Sequence, residues 1–579
     1  MASSLSRSGH SIKSNRPPPR GQLGICPTTA PVAPLVRREA ERRRTFAIIS
    51  HPDAGKTTLT EKLLLYAGCV DEAGAVRGRK SQRSATSDWM AIERERGISI
   101  TSTVLAFTYR GYQINLLDTP GHQDFSEDTY RTLTAADCAV MVLDAVRGIE
   151  PQTIKLFKIC AARKIPILTF VNKMDRPGGE PLRSLGEIEE VLGIDAVPLN
   201  WPVGVGAGFC GVYDRQAGRL LRFSAVPHGT QTVPAATADL DQAETLLPPE
   251  QASALREKIA LLDGASATFD RARFLRGEQT PVFFGSALTN FGIEPFLNAF
   301  LDLCPPPGPR QSDRGLIHPA QPEFAGVVFK IQANLDPKHR DRVAFVRVCA
   351  GRFQREMDVT LARTGERIRI KRSHRLFARE RETTDEAYPG DIIGMVNPGQ
   401  FRLGDTLIEG ETFQYEGQWE FLPERFARLR CTHTDRRKQF AKGLAQLLEE
   451  GVVQVLNDAN TNSREPVLAT VGELQFDVVR YRLETEYNTP TTLEHLPYIA
   501  ARWIDAPLAA LNSFDPPTLS RVMIDHQGAP IILFTSEWEI RNCQEKNPEF
   551  PLLERRGTRH DASEAIKTRL ARNDSCLRP

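Results

Sequence analysis

FAIISHPDAGKTT, residues 46 to 58, passes from an apolar run through a glycine turn into one lysine and two threonines. The four apolar residues Phe46, Ala47, Ile48 and Ile49 predict a parallel strand buried on both faces. The run TLTEKLLLYAG that follows predicts a helix. A strand, a tight loop and a helix N-terminus in that order make an anion cradle, because the loop N–H groups point inward at the anion. The spacing is that of G-x-x-x-x-G-K-[ST], with Ser50 where the first glycine would stand and Gly55, Lys56 and Thr57 completing it. Lys56 is then placed to reach β- and γ-phosphates, and the Thr57 hydroxyl to bind Mg²⁺. An ordinary strand–helix turn with a surface lysine would also account for this stretch alone, so its neighbours decide.

A second apolar run, Tyr112 to Leu117, leads into Asp118-Thr119-Pro120-Gly121-His122. That sets a carboxylate at the edge of the same sheet, where a Mg²⁺-bound water needs one, and offers the Gly121 N–H to a γ-phosphate. CAVMVLDA, residues 138–145, predicts a third strand. IPILTFVN predicts a fourth, ending in Asn172-Lys173-Met174-Asp175. The Asp175 carboxylate can accept from a ring N–H and an exocyclic amine together, the donor pair that guanine has and adenine lacks. PVFFGSAL predicts a fifth strand, ending in Ser286-Ala287-Leu288. The polar stretch 70–100, which ends in RERGISI, has many charges and few apolar anchors and suits a loop ordered by ligand. Its Ser99 offers a hydroxyl to complete Mg²⁺ coordination; a solvated connector is the blander reading. Contact segments in this order, each at a strand's end, are not expected of unrelated turns.

Length and charge bound the remainder. At 100–200 residues per domain, 579 residues suggest about three or four domains. No apolar stretch approaches the roughly 18 residues of a membrane helix. The ten cysteines include no C-x-x-C pair, and several, such as Cys138 and Cys349, fall inside strand patterns. Buried reduced thiols are expected, not disulfides or zinc. The net charge of +2 divides into +7 for residues 1–44, +3 for 551–579 and −8 for the body between. RNA, if it is bound, must meet local basic patches.

Residues 1–43 read as a basic extension. Six serines in the first fourteen residues and no acid before Glu39 fit either a disordered segment or an organelle transit peptide. The first domain is expected over 44–310, with an insertion near 176–280 in which WPVGVGAGFCGVYD reads as a hairpin and 238–263 as an acidic helix. CPPPGP is a linker. Residues 311–412 alternate short strands with turns, the pattern of an all-β barrel. Its RIRIKRSHR run is a candidate RNA-facing strip or equally a solvated strand face. Residues 413–550 alternate strands with helices at Arg436–Glu450 and GELQFDVVRYRLETEY, and 551–579 form a basic tail.

ISHPDAGKTT, RGISIT, DTPGHQDF, NKMD and GSAL resemble the five signatures of the translational GTPases, and GELQFDVV resembles the third domain of the elongation factor G branch. SATSDWM and HPDAGKTTLTEKLLLYAG look closest to the peptide chain release factor 3 family. The resemblance covers about 44–550 and implies a multi-domain fold: an α/β P-loop GTPase domain, an all-β barrel, then an α+β sandwich of ferredoxin-like type. It implies GTP/GDP and Mg²⁺ as ligands. Nucleotide contacts would come from Ser50, His51, Pro52, Asp53, Ala54, Gly55, Lys56, Thr57 and Thr58, and from Asp118, Thr119, Pro120 and Gly121. Asn172, Lys173 and Asp175 would read guanine, with Ser286, Ala287 and Leu288 closing the rim. Mg²⁺ would lie on Thr57, Ser99 and Asp118, and His122 would orient the attacking water as the catalytic residue. The family's partners are the ribosome and the stop-codon-reading release factors, and no membrane. A monomer in the cytoplasm is implied, or in an organelle if the extension is a transit peptide. The chain stops where elongation factor G would continue, and it has no Gly-Gly-Gln tripeptide with which to hydrolyse peptidyl-tRNA itself.

Overall fold

A computed structural model describes residues 34–70, 93, 99–224, 231–333, 342–377, 380–397, 399–416, 422–458 and 465–554. Residues 1–33, the tail from 555, and the polar stretch 71–98 apart from Glu93 lie outside it, and with them SATSDWM and Arg94–Gly97. In the first domain the strands stand in the order Thr103–Tyr109, Tyr112–Asp118, Arg43–Ser50, Cys138–Asp144, Ile167–Asn172, Gln279–Phe284, Asp195–Pro198. All neighbours are parallel except the first two, which form a hairpin. Continuous apolar runs suit these strands because both faces are covered. Ala47, Ile49, Ala139 and Met141 face one helical layer with Leu156, Phe157 and Leu133. Phe46, Ile48, Val140 and Val142 face the other, with Leu59, Leu63, Phe296 and Phe300.

The first strand starts three residues before the apolar run, at Arg43. Polar residues are tolerated there because each finds a partner: Arg43 pairs with Asp391 at 2.7 Å, Arg44 lies over the Tyr112 ring, and the Thr45 hydroxyl donates to the Gly390 carbonyl. Residues 34–41, expected within the extension, form the helix Pro34–Glu41, with Val36 and Ala40 buried. The extension is therefore shorter than 1–43, because Glu39 anchors this helix to Arg43 at 2.8 Å.

Within the insertion, Asp195–Pro198 joins the main sheet, which its four-residue length hid. Asn200–Val203 and Gly211–Asp214 make the expected hairpin and continue into a four-stranded antiparallel sheet. The helix expected from 238 begins only at Pro249, since Pro248 and Pro249 favour a helix start over a helix interior.

The second domain packs antiparallel strands around Phe324, Val328, Val346, Val348, Ile393 and Leu407. Its strand Ser373–Phe377 also pairs with the edge strand of the first domain at Phe377 and Leu105. The third domain opens with a βαββαβ unit whose strands stand as Thr491–His495, Arg425–Cys431, Val467–Thr470, Gln454–Asp458, a ferredoxin-like order. Helices Arg437–Glu449 and Glu473–Tyr487 cover one face through Leu444, Leu447, Phe476 and Leu483. The opposite face carries Phe426 and Leu456, and Trp503, Met523 and Leu533 of the antiparallel unit 498–554 pack against them. That second unit, which extends the sheet through Asn457 and Ile524, was not separated in the sequence reading. No disulfide occurs among the described cysteines, and Cys138, Cys160, Cys304, Cys349 and Cys543 are buried thiols.

Candidate nucleotide site

The strand Arg43–Ser50 delivers the loop 51–55 to the N-terminus of the helix Lys56–Tyr66. Asp53 and Gly55 take the left-handed conformation, with φ of 64° and 95°, which turns the chain sharply into the helix. A Cβ on Gly55 would also collide with the Asn172 amide nitrogen, so a side chain fits neither the conformation nor the space. The Asn172 amide donates to the Ala54 carbonyl at 2.8 Å and accepts from Ala287 N–H at 2.9 Å. Three of the expected segments therefore meet at one side chain.

Lys56 is buried, and its ammonium makes no hydrogen bond among the described residues; Asp118 Oδ1 lies 3.7 Å away. A buried cation short of partners at a helix N-terminus is a site prepared for an anion. One Asp175 carboxylate oxygen is buried with no hydrogen bond among the described residues, next in the chain to Met174, whose N–H donates to the Gly285 carbonyl at 3.2 Å just before Ser286 and Ala287. The two orphaned groups fit a nucleotide: an ammonium for phosphate and a carboxylate for a base bearing two donors. The Thr57 hydroxyl in the first helical turn and the Asp118 carboxylate are hard oxygen donors of the kind Mg²⁺ takes.

His51, the first residue of the loop, is fully buried. Its Nδ1 lies 3.4 Å from the Thr153 hydroxyl and its Nε2 3.7 Å from Glu150. Burial holds its pKa below the usual histidine value against the pull of Glu150, so the ring is neutral at physiological pH. Thr119 donates to the Ile48 carbonyl, and the Pro120 carbonyl accepts from Thr129. Gly121 passes close to Pro52, where a Cβ would make ordinary contact at 3.5 Å. His122 caps the short helix Gln123–Phe125, its Nδ1 accepting from Asp124 N–H at 3.3 Å. Ser99 adjoins Ile100, which packs with Phe125 and Val478. Leu288 is 57% exposed.

Several residues that the sequence reading did not single out tie the site together. Asp144 ends the third strand and takes Lys173 Nζ at 2.8 Å, while the same ammonium donates to the Asp53 carbonyl. Its signal was present, a carboxylate closing an apolar strand. Asp124 accepts from Leu474 N–H at 2.8 Å, which binds the turn after His122 to the third domain. Lys330 of the second domain donates to the Ser102 backbone carbonyl and lies 3.2 Å from its hydroxyl; Asp128 accepts from Ser102 N–H at 2.6 Å. Arg131 donates to the Gly451 carbonyl. The segments flanking the site are thus held by both other domains.

The sequence matches the family described as elongation factor Tu GTP binding domain over residues 41–306, elongation factor G domain 2 over 323–410, and class II release factor RF3, C-terminal domain, over 415–544. It is 54% identical over 524 residues to peptide chain release factor 3 of Gloeobacter violaceus, covering 90% of this chain and 99% of that one. With peptide chain release factor 3 of a Cyanothece species it shares 53% over 516 residues, covering 89% and 95%. A crystal structure of a Thermus thermophilus protein shares the fold, with a TM-score of 0.64 at 23% identity over 78% of this chain and 67% of that one. The cradle for a guanine nucleotide and the three successive domains are those of a GTPase, and the chain belongs to the peptide chain release factor 3 family of translational GTPases.

Proposed function

We propose that this protein hydrolyses GTP slowly by itself and rapidly on the ribosome, and that the cycle releases stop-codon-reading release factors from the ribosome after termination. The observation that carries the nucleotide half is the pair of buried groups without a hydrogen bond among the described residues, Lys56 Nζ and Asp175 Oδ1, in the two segments that Asn172 ties together. The names of the relatives support the termination half.

In this reading the amides of the loop 51–55 and Lys56 bind the phosphates. Asn172 and Lys173 shape the base pocket, Asp175 selects guanine, and Ser286, Ala287 and Leu288 form its rim. Thr57, Ser99 and Asp118 would hold Mg²⁺, which when bound neutralises charge on the phosphate oxygens. His122 positions the attacking water. Its Nδ1 is taken up by its own turn, 3.3 Å from both the Asp124 N–H and the Asp124 carboxylate. Asp124 in turn accepts from Leu474 N–H of the third domain at 2.8 Å. That arrangement supports a slow intrinsic rate and stimulation by whatever draws the third domain away. Among the described residues no helix is long and apolar enough to cross a membrane.

The test is GTP turnover with and without purified ribosomes, and with and without a release factor bound at a stop codon. Turnover raised by orders of magnitude on ribosomes, together with faster departure of the release factor, is the expected result. GTP binding without ribosome-dependent turnover would instead make the protein a GTP-gated switch.

A further inference from the structure

We propose that Asp144 is a positioning residue for the guanine nucleotide: it holds Lys173 across the base pocket and against the phosphate loop, so that one carboxylate aligns both halves of the site. The proposal rests on the guanine-nucleotide reading above. Asp144 closes the strand Cys138–Asp144 beside Ile167–Asn172, the two ends paired at Asp144 and Asn172. It is 2% exposed. Its two oxygens have separate tasks. Oδ1 accepts from the N–H groups of Val146 and Arg147, at 2.9 and 3.3 Å, which fixes the carboxylate on its own turn. Oδ2 takes Lys173 Nζ at 2.8 Å. From there the ammonium reaches the Asp53 carbonyl, in a loop residue with positive φ.

Lys173 also has positive φ, 67°, a conformation a lysine adopts only when its surroundings enforce it. A long side chain left unheld would sample many rotamers, and ordering it on nucleotide binding would reduce affinity. Asp144 does that ordering in advance. Burial pushes its carboxyl up, but the bonds from Lys173, Val146 and Arg147 outweigh this and hold the pKa below the usual value, so the carboxylate is charged.

Asp144→Asn separates the two tasks. The amide oxygen can still accept from Val146 and Arg147, while the amide nitrogen would face the lysine as a second donor. GTP and GDP should each bind about tenfold more weakly, the loss of one charge-assisted bond. KM for GTP should rise likewise while kcat at saturation falls less than about threefold. In a Lys173→Met background the further change Asp144→Asn should cost no affinity, and this comparison stands even if Asp144→Asn alone folds poorly. Unchanged GTP and GDP affinity in Asp144→Asn, or an equal loss in both backgrounds, would overturn the proposal. Parent protein that binds no guanine nucleotide would overturn the underlying reading instead.

Discussion

Two side chains at opposite ends of the site should separate binding from chemistry. His122 adjoins Gly121, past Asp118, and among the described residues its ring meets its own turn, at Asp124 and Phe125. It should add little to ground-state affinity and much to the transition state, where a water must be held in line. His122→Ala should keep GTP and GDP affinity within a few-fold and lower ribosome-stimulated turnover about a hundredfold, the usual scale for such groups. Pre-steady-state hydrolysis with ribosomes in excess checks this; near-normal turnover would assign the water to another group. In the proposed reading Asp175 works at the base. Asp175→Asn exchanges an acceptor for a donor, which suits xanthine where guanine has its amine. The variant should lose GTP and gain xanthosine triphosphate in a competition titration. Equal GTP binding by variant and parent would remove Asp175 from base recognition.

The turn after His122 and the helix Glu473–Tyr487 form one mechanical element. Gly472 precedes that helix, and a Cβ there would collide with Asp124 Cγ. Its φ of −138° is open to any residue, so the cost of Gly472→Ala is steric and falls on the contact between domains. We expect a loss of roughly 1–3 kcal/mol, typical of overpacking, seen as an earlier first transition in calorimetry. An unchanged trace would show that Asp124 moves aside freely. The Ser102 junction beside it predicts acid sensitivity. Burial pushes the Asp128 carboxyl up, but Lys330, Arg131 and the bonds from Ser102 outweigh this and hold its pKa below 3.8. Its contribution is complete above the unfolded value and is lost as pH falls through the lower folded one. Unfolding midpoints should therefore drop more steeply below about pH 4 in the parent than in Asp128→Asn. Parallel pH profiles would mean the carboxylate does not stabilise the junction.

Over the whole molecule, the clamp at the start of the described chain links three parts. Glu39 of the first helix holds Arg43, and Arg43 holds Asp391 of the second domain. Removing one member of a buried ionic chain leaves the others poorly compensated. Deleting residues 1–41 should lower the melting temperature, whereas deleting 1–33 keeps Val36, Ala40 and Glu39 in place and should not. Equal melting of the two truncations would place the stabilising contacts elsewhere. In the third domain Arg482 pairs with Glu450, 32 residues away, and with Glu486 one turn along its own helix.

The strand-end segments were legible because each is written in consecutive residues. An apolar run predicts a buried strand, and the glycine, hydroxyl or carboxylate just after it predicts the group at that strand's end. The barrel and the ferredoxin-like unit were legible for the same reason, as local periodicity. What joins these pieces is not local. Asn172 meets Ala54 across 118 residues, Lys330 meets Ser102 across 228, and Asp124 meets Leu474 across 350. Even the separation of 29 positions from Asp144 to Lys173 spans a whole helix. A carboxylate at a strand's end has the same local appearance whether it caps a turn, binds a metal or orders a lysine. Sheet order and domain packing decide which, because only they bring its partner within hydrogen-bond reach.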